Sequence, residues 1–428
     1  MKGNKDTVAV IGAGPAGCTL ACLLAMRGIQ VVVFDDDKRP DLLVGESLVP
    51  SVIPVLRALG IEERVKAFSV RKPGASFFHG SGTRVDLKFQ KRGKKNPGYA
   101  YNVPRPQFDD LLRERAGELG VKFVDARAKV QRSNNPRREI ELCDKSLALA
   151  GLSPCAHPSM LVDASGRSRL FARTLELDVD RGGRNDVSYF AHYENFVHDE
   201  VDPGQIIISV LDHGWSWRIP LKGKLSVGIV IDKDAAKDLG RNLGERLDNA
   251  IKREPLLREK GKDAKRVSEV MTYSKYQRVT KRGCGEGWVM LGDAFGFVDP
   301  MLSPGLFMAL ESAYLLDKWV FSQGVSGSRI KSVEKYCAEL LSWHQAWQEL
   351  IDYFYDGRIL RMHEAGKLLS KDKGLLNPAR LMERHLTRVI QSMASGVATR
   401  SAYNRRLLKE SSKYLIWDVP EAQFYAVK

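Results

Sequence analysis

Long uninterrupted apolar runs are missing from this chain, and apart from Val8 to Met26 no stretch approaches the ~18 apolar residues that a membrane span requires. The run from Val8 to Met26 comes nearest, with Lys2 and Lys5 ahead of it in the manner of a signal peptide. Gly12, Gly14, Pro15 and Gly17 interrupt its front, where such a helix needs continuous backbone pairing. The expectation is a soluble, cytoplasmic chain with no membrane contact. Cysteine is scarce. There are six in 428 residues (18, 22, 143, 155, 284 and 337), with no CxxC pair. This speaks against a disulfide framework and a thiolate zinc site, and no metal is expected. Acidic residues are outnumbered 52 to 67, for a net charge of +15. Such an excess suits a nucleic acid, an acidic partner or an anionic small substrate, and does not choose among them. No nucleic-acid-binding module accompanies it, so nucleic acid is set aside. Repeats and low-complexity tracts are absent. Hydrophobic residues make up 43% and charged residues 28%, ample for a large core.

What is present begins with a strand, a turn and a helix. Thr7–Ile11 reads as a buried parallel strand. Gly12-Ala13-Gly14-Pro15-Ala16-Gly17 is a G-x-G-x-x-G turn, with Cys18 to Arg27 as the helix. Gln30–Phe34 is a second strand, ending at Asp35. Gly12 permits the tight turn, Gly14 lets the backbone approach a pyrophosphate, and Gly17 lets the helix pack on the strand. The helix N-terminus offers N–H groups to the phosphates. Asp35 stands at the distance of about 20 residues from which a carboxylate reaches a ribose hydroxyl. This unit alone does not separate FAD from NAD.

Two later segments favour FAD. Leu161-Val162-Asp163-Ala164-Ser165-Gly166-Arg167 is a short strand ending in an acid, and Trp288-Val289-Met290-Leu291-Gly292-Asp293-Ala294 repeats the shape. Pro304-Gly305 and a helix, Leu306 to Trp319, follow. The order resembles the glutathione-reductase-type (GR2-type) FAD fold. That resemblance places Gly292 and Asp293 at the flavin ribityl chain and Arg105, at the start of a helix, against the flavin. Gly283-Cys284-Gly285-Glu286-Gly287 precedes a strand instead of following one, so it is not a second dinucleotide turn. Without a separate NAD(P)H domain, reduced flavin is expected from another protein.

Three further segments resemble the flavin-dependent halogenases. They are Val44-Gly45-Glu46-Ser47-Leu48-Val49-Pro50, His213-Gly214-Trp215-Ser216-Trp217-Arg218-Ile219-Pro220 with its W-x-W-x-I-P pattern, and Asp299-Pro300-Met301-Leu302-Ser303-Pro304-Gly305. The resemblance implies FAD contacts at Gly12, Gly14, Ala16, Gly17, Asp35, Glu46, Ser47, Arg105, Gly292, Asp293, Pro300 and Gly305. It implies catalytic roles for Trp215, Trp217 and Lys72, with Arg71 as the alternative one register away. Trp215 and Trp217 share one face of a strand. As ordinary core they need no function; in the family such a pair divides the flavin from the organic substrate. The family's halide site falls on the backbone N–H groups of Gly305 and Leu306, Pro304 having none. Tryptophan halogenases carry Glu where this chain has Leu302, so the resemblance points to the phenol and pyrrole branch.

The implied reaction uses FADH2 from a flavin reductase, met directly or through diffusing FADH2, together with O2 and chloride or bromide. Halide attacks a flavin hydroperoxide, and hypohalous acid passes the Trp pair to Lys72. The halogen then replaces hydrogen on an electron-rich small aromatic substrate, free or tethered to a carrier protein. A hydroxylase or isoprenoid reductase of the same superfamily, or a non-catalytic flavin-binding protein, would share the FAD motifs.

The expected architecture is α/β. A discontinuous FAD-binding domain (1–75, 100–180, 280–325) carries an inserted, mostly antiparallel substrate-side sheet (76–99, 181–279) and a helical region over 326–428. Trp343, Trp347, Tyr353, Phe354 and Tyr355 form an aromatic cluster there, as core or as lining of the substrate cavity. The basic runs near 91–95, 252–265 and 404–413 read as solvated faces, with docking of an acidic carrier as the functional option.

Overall fold

The computed structural model describes residues 7–415 apart from 41, 80–82, 92–95, 136–137, 154–156, 200, 212, 275–276, 323–329 and 370–377. Most of the basic loop at 91–95 therefore lies outside the described residues.

Apolar strands flanked by helices must bury both faces, and they form a parallel sheet. Thr7–Ile11 is buried at every position and lies at its centre, paired in parallel with Gln30–Asp35 on one side and Met160–Asp163 on the other. Lys122–Asp125 extends one edge and Trp288–Met290 the other, with Cys284–Gly285 antiparallel beyond it. Chain order reverses around the central strand. A crevice opens at the carboxyl ends of strands at such a switch point. The first helix begins at Pro15, earlier than the expected Cys18, with Gly14 as its N-cap. Proline favours the first helical position because its φ is already set and its missing N–H would lack a partner there.

Two glycines hold this turn together. A Cβ on Gly17 would lie 2.0 Å from the Gly12 carbonyl oxygen, and one on Gly12 would lie 2.4 Å from that of Ala164. Gly12 also has φ +107°. Gly17→Ala should push the helix off the strand, at about 1–3 kcal/mol for overpacking. The expected result is FAD affinity lower by about 10- to 100-fold, read by fluorescence titration of the purified protein.

A second, eight-stranded sheet is mostly antiparallel. Gly214–Leu221 runs near its middle, between Ile206–Leu211 and Lys224–Asp232. Asp186–Glu194 and the hairpin Gly74–His79/Thr83–Lys88 extend it outward. Helices pack against both sheets. Ile330–Tyr355 is the longest, and Arg358–Leu369, Pro378–Ala394 and Ala402–Leu415 follow it. The fold is the expected α/β arrangement. The aromatic cluster is buried core: Trp343 and Trp347 pack on Phe307 at 5.0 and 6.0 Å. One member, Tyr355, reaches beyond the core into the site described next.

Candidate active site

A cavity of about 510 Å³ runs from the glycine-rich turn to the second sheet. Gly12, Gly14, Ala16 and Asp35 line one end. Glu46, Ser47, Arg105, Asp293, Pro300, Gly305 and Leu306 line the cavity as well, and so do Trp215, Trp217 and Ile219 of the second sheet. Of the expected flavin contacts, Gly17 and Gly292 do not reach the lining. Gly17 packs on the Gly12 carbonyl, and a Cβ on Gly292 would stand 3.1 Å from Ala16 Cβ.

The two indoles lie side by side with centroids 5.7 Å apart, and both are buried. Their arrangement depends on a glycine. Gly228 pairs across the sheet with Trp217 on one side and Phe190 on the other. A Cβ there would meet Trp217 Cζ2 at 2.3 Å and Phe190 Cβ at 2.5 Å. Without it, the Trp217 ring lies across the neighbouring strand and meets Phe190 at 5.8 Å. Phe190 stacks on Tyr273 at 5.9 Å, extending the row of rings.

Lys72 ends the short strand Val70–Lys72, paired with Ala100–Asn102. It is only 2% exposed. Its Nζ donates to Ser47 Oγ at 2.7 Å and to the Leu48 carbonyl at 2.9 Å, and it sits 5.2 Å from the Phe89 ring centroid. These contacts are all neutral. Burial therefore acts uncompensated and lowers the amine to about 7. Lys72 does not line the cavity itself; Ser47 does, and its hydroxyl links the two.

The family model described as tryptophan halogenase matches residues 79–358, and one described as FAD binding domain matches 5–138. The chain belongs to the flavin-dependent halogenase family. A tryptophan 2-halogenase of Chondromyces crocatus is 27% identical over 92% of this chain and 76% of its own. A 1H-pyrrole-2-carbonyl-[peptidyl-carrier protein] chlorinase of Pseudomonas fluorescens is 29% identical over 84% and 86%. The flavin-dependent brominase Bmp2 superposes with a TM-score of 0.79 at 22% identity, over 95% of this chain and 98% of its own.

The halogenase cavity fits FAD on its own chemistry. Gly14 has nothing within 4 Å of where a Cβ would stand, so backbone is open to an incoming phosphate. Asp293 lines the cavity in the protein interior, and desolvation there pushes its carboxyl up to about 6, while Arg105 and Arg167 pull it back. A desolvated carboxylate of this kind is completed by hydroxyl donors, which a ribityl chain carries. Asp35 lines the cavity but already accepts from Ala13 N at 3.1 Å and from Arg39 at 2.6 Å. It therefore pins the turn as well as facing the ligand. Arg105 pairs with Asp109 at 3.0 Å and donates to the Val44 carbonyl, tying the segment around Glu46 to its helix. At the far end Ser303 adopts φ +60° and caps the helix Pro304–Leu316. The Gly305 and Leu306 N–H groups, in its first turn, have no partner within the helix.

Several lining residues carry no sequence signal. Arg39, Arg127, Arg167 and Tyr273 reach the enzyme's cavity from separate segments. Glu46 meets His192 Nε2 at 2.7 Å across 146 residues, inside the protein. Tyr355 lies behind the indoles. Its hydroxyl accepts from Trp215 Nε1 at 2.8 Å and donates to Asp299 at 3.0 Å. Asp299 also accepts from Gln277 at 2.9 Å and from the Met301 N–H at 2.9 Å. Burial pushes its carboxyl up to about 7. A C-terminal helix thus props the Trp215 indole against the segment that carries Pro300. Tyr355→Phe keeps the ring but strands the Trp215 N–H. A loss of about 1–3 kcal/mol is expected in urea denaturation. Trp215→Phe in the same background should recover part of it, since no N–H is then left unpaired.

Among the described residues no helix is long and apolar enough to cross a membrane.

Proposed function

We propose that this enzyme installs chloride or bromide on a phenolic or pyrrolic ring, with Lys72 directing the oxidant. The observation that carries the reading is the paired buried indoles of Trp215 and Trp217 in the lining of the flavin cavity, together with an amine buried without a counter-charge. Reduced FAD, supplied when bound by a separate reductase, furnishes electrons that convert oxygen and halide into a halogenating oxidant. The residues of this chain bind, separate and aim. Gly305 and Leu306 N–H groups, at the positive end of a helix dipole, suit a halide. Trp215 and Trp217, buried with centroids 5.7 Å apart, would part the flavin from the aromatic substrate so that only a small oxidant passes. Near pH 7 the Lys72 amine is substantially neutral and keeps a lone pair. It takes halogen from hypohalous acid with release of water, or donates a hydrogen bond that polarises it. The aromatic carbon then gains the halogen and loses its proton. Holding the oxidant at one amine makes the attack local and regioselective.

Leu302 lines the cavity with φ +67° and has no group to steady a ring cation. The ring must therefore be activated by its own oxygen or nitrogen, which favours phenols and pyrroles over tryptophan. The substrate is free or carried on an acyl carrier protein; a carrier would meet a chain of net charge +15. The test is mass spectrometry of reactions with phenolic and pyrrolic acceptors, free and carrier-tethered. Reductase, FAD and bromide are supplied. Bromine isotope doublets are expected. Oxygenated product formed equally without halide would replace this reading with a hydroxylase.

A further inference from the structure

A second cavity, of about 290 Å³, adjoins the first. Arg167, Trp217, Asp293 and Pro300 line both. Its remaining lining includes Arg169 and Arg278. Three guanidinium groups thus face one carboxylate, that of Asp293, among its described lining residues. Asp293, which interacts with Arg167, sets one negative charge against three positive ones. Arg167 lies over the Tyr273 ring at 4.4 Å and contacts the Ser274 carbonyl at 3.4 Å. Arg169 is only 7% exposed. One of its terminal nitrogens donates to Thr280 Oγ1, but its Nε–H has no hydrogen-bond partner. Leaving a buried donor unpaired costs about 1–3 kcal/mol, and such groups call for a missing acceptor. Burial, then the adjacent Arg278 charge, disfavour the Arg169 cation, Asp163 offsets them only in part, and an anion would oppose the Arg278 repulsion.

The position of this cavity selects the anion. It shares Val44, Tyr273, Asp293 and Pro300 with the flavin cavity, which in the reading above sets it beside the flavin. Phe297 also lines both cavities, and the Gly305 position packs against its ring, where a Cβ would stand 3.1 Å from Cε2. The three arginines are therefore one side chain away from the Gly305 and Leu306 N–H groups. In the reading above, a halide entering from water must reach those groups. A cleft of one charge with low-dielectric walls concentrates the opposite ion.

We propose that the cavity of Arg167, Arg169 and Arg278 is a second halide site, an antechamber that draws chloride or bromide from solvent and passes it toward Gly305. The assignment rests on the halogenase reading above. The experiment is bromide soaking of crystals of the FAD-free protein, with anomalous scattering to locate the ion. A bromide within hydrogen-bond distance of Arg169 Nε is expected in the wild type, and its loss is expected in Arg169→Gln. Arg278→Ala, at a partly exposed position, guards against a folding failure. It should raise the KM for bromide about five- to tenfold and flatten its dependence on ionic strength. A rate restored at saturating bromide separates this from general damage. No bromide in the antechamber, or an unchanged KM in Arg278→Ala, overturns the proposal. Both results leave the halogenase reading standing if the wild type still brominates. Failure to brominate any acceptor sinks that reading instead, whatever the crystals show.

Discussion

Lys72→Met is expected to lower halogen incorporation by about 10²- to 10⁴-fold, the span a positioned proton-transfer or nucleophilic group contributes. FAD binding and flavin oxidation should continue, because Lys72 touches Ser47 Oγ and the Leu48 carbonyl and does not line the flavin cavity. Methionine nearly matches the volume, so the site does not collapse. The amine also marks the pH behaviour. Its folded value is about 7, against 10.5 when solvated. Between those values the unfolded chain holds a proton that the folded chain does not, so through this group stability rises with pH across that window. Lys72→Met should remove that slope, and urea midpoints at pH 7.5 and 9.5 would show it. Halogenation should decline as pH falls below about 7, as the amine gains a proton and loses its lone pair. Lys72→Arg should be as inactive as the Met variant, because a guanidinium stays charged. Near-normal bromination by Lys72→Met would take the residue out of the mechanism.

Trp217→Ala is expected to be the most damaging change to the wall. Truncating a buried tryptophan costs about 3–5 kcal/mol, toward the upper end where neighbours cannot close the gap. On one side the indole lies over Gly228, which has no side chain to advance, so only Phe190 and Trp215 could shift toward the gap. The protein should remain foldable, and the partition proposed for the indoles should fail. Product formed per flavin oxidised should fall about tenfold as proximity is lost. A small dissolved scavenger, such as a cyclic 1,3-dione, should then be halogenated in its place. Trp217→Phe keeps an aromatic face and should retain most of the coupling, which separates leakage from misfolding. Tight coupling in Trp217→Ala would mean that the indole is core and not a barrier.

The nucleotide unit was legible because its signals are local. Four apolar residues in a row, a turn rich in glycine and a second apolar strand dictate one geometry within about 30 residues. The W-x-W spacing likewise carried its face-sharing in the sequence, since side chains alternate along a strand. The extent of the cavity was not legible, because its arginines come from segments whose meeting depends on how the sheets pack. Arg39, Arg127 and Arg167 look like any other basic residues in a chain with 67 of them.

What the sequence determined by itself was the set of short-range backbone choices. Gly12 must turn, Gly17 must allow close contact, and Trp215 and Trp217 must share a face. Only the tertiary structure decided that Gly228 lies beneath an indole, that Tyr355 reaches Trp215 across 140 residues, and that Lys72 is buried among neutral groups. Desolvation and cross-strand contact depend on everything that surrounds a residue. A lysine in a sequence carries no record of how much water it will lose.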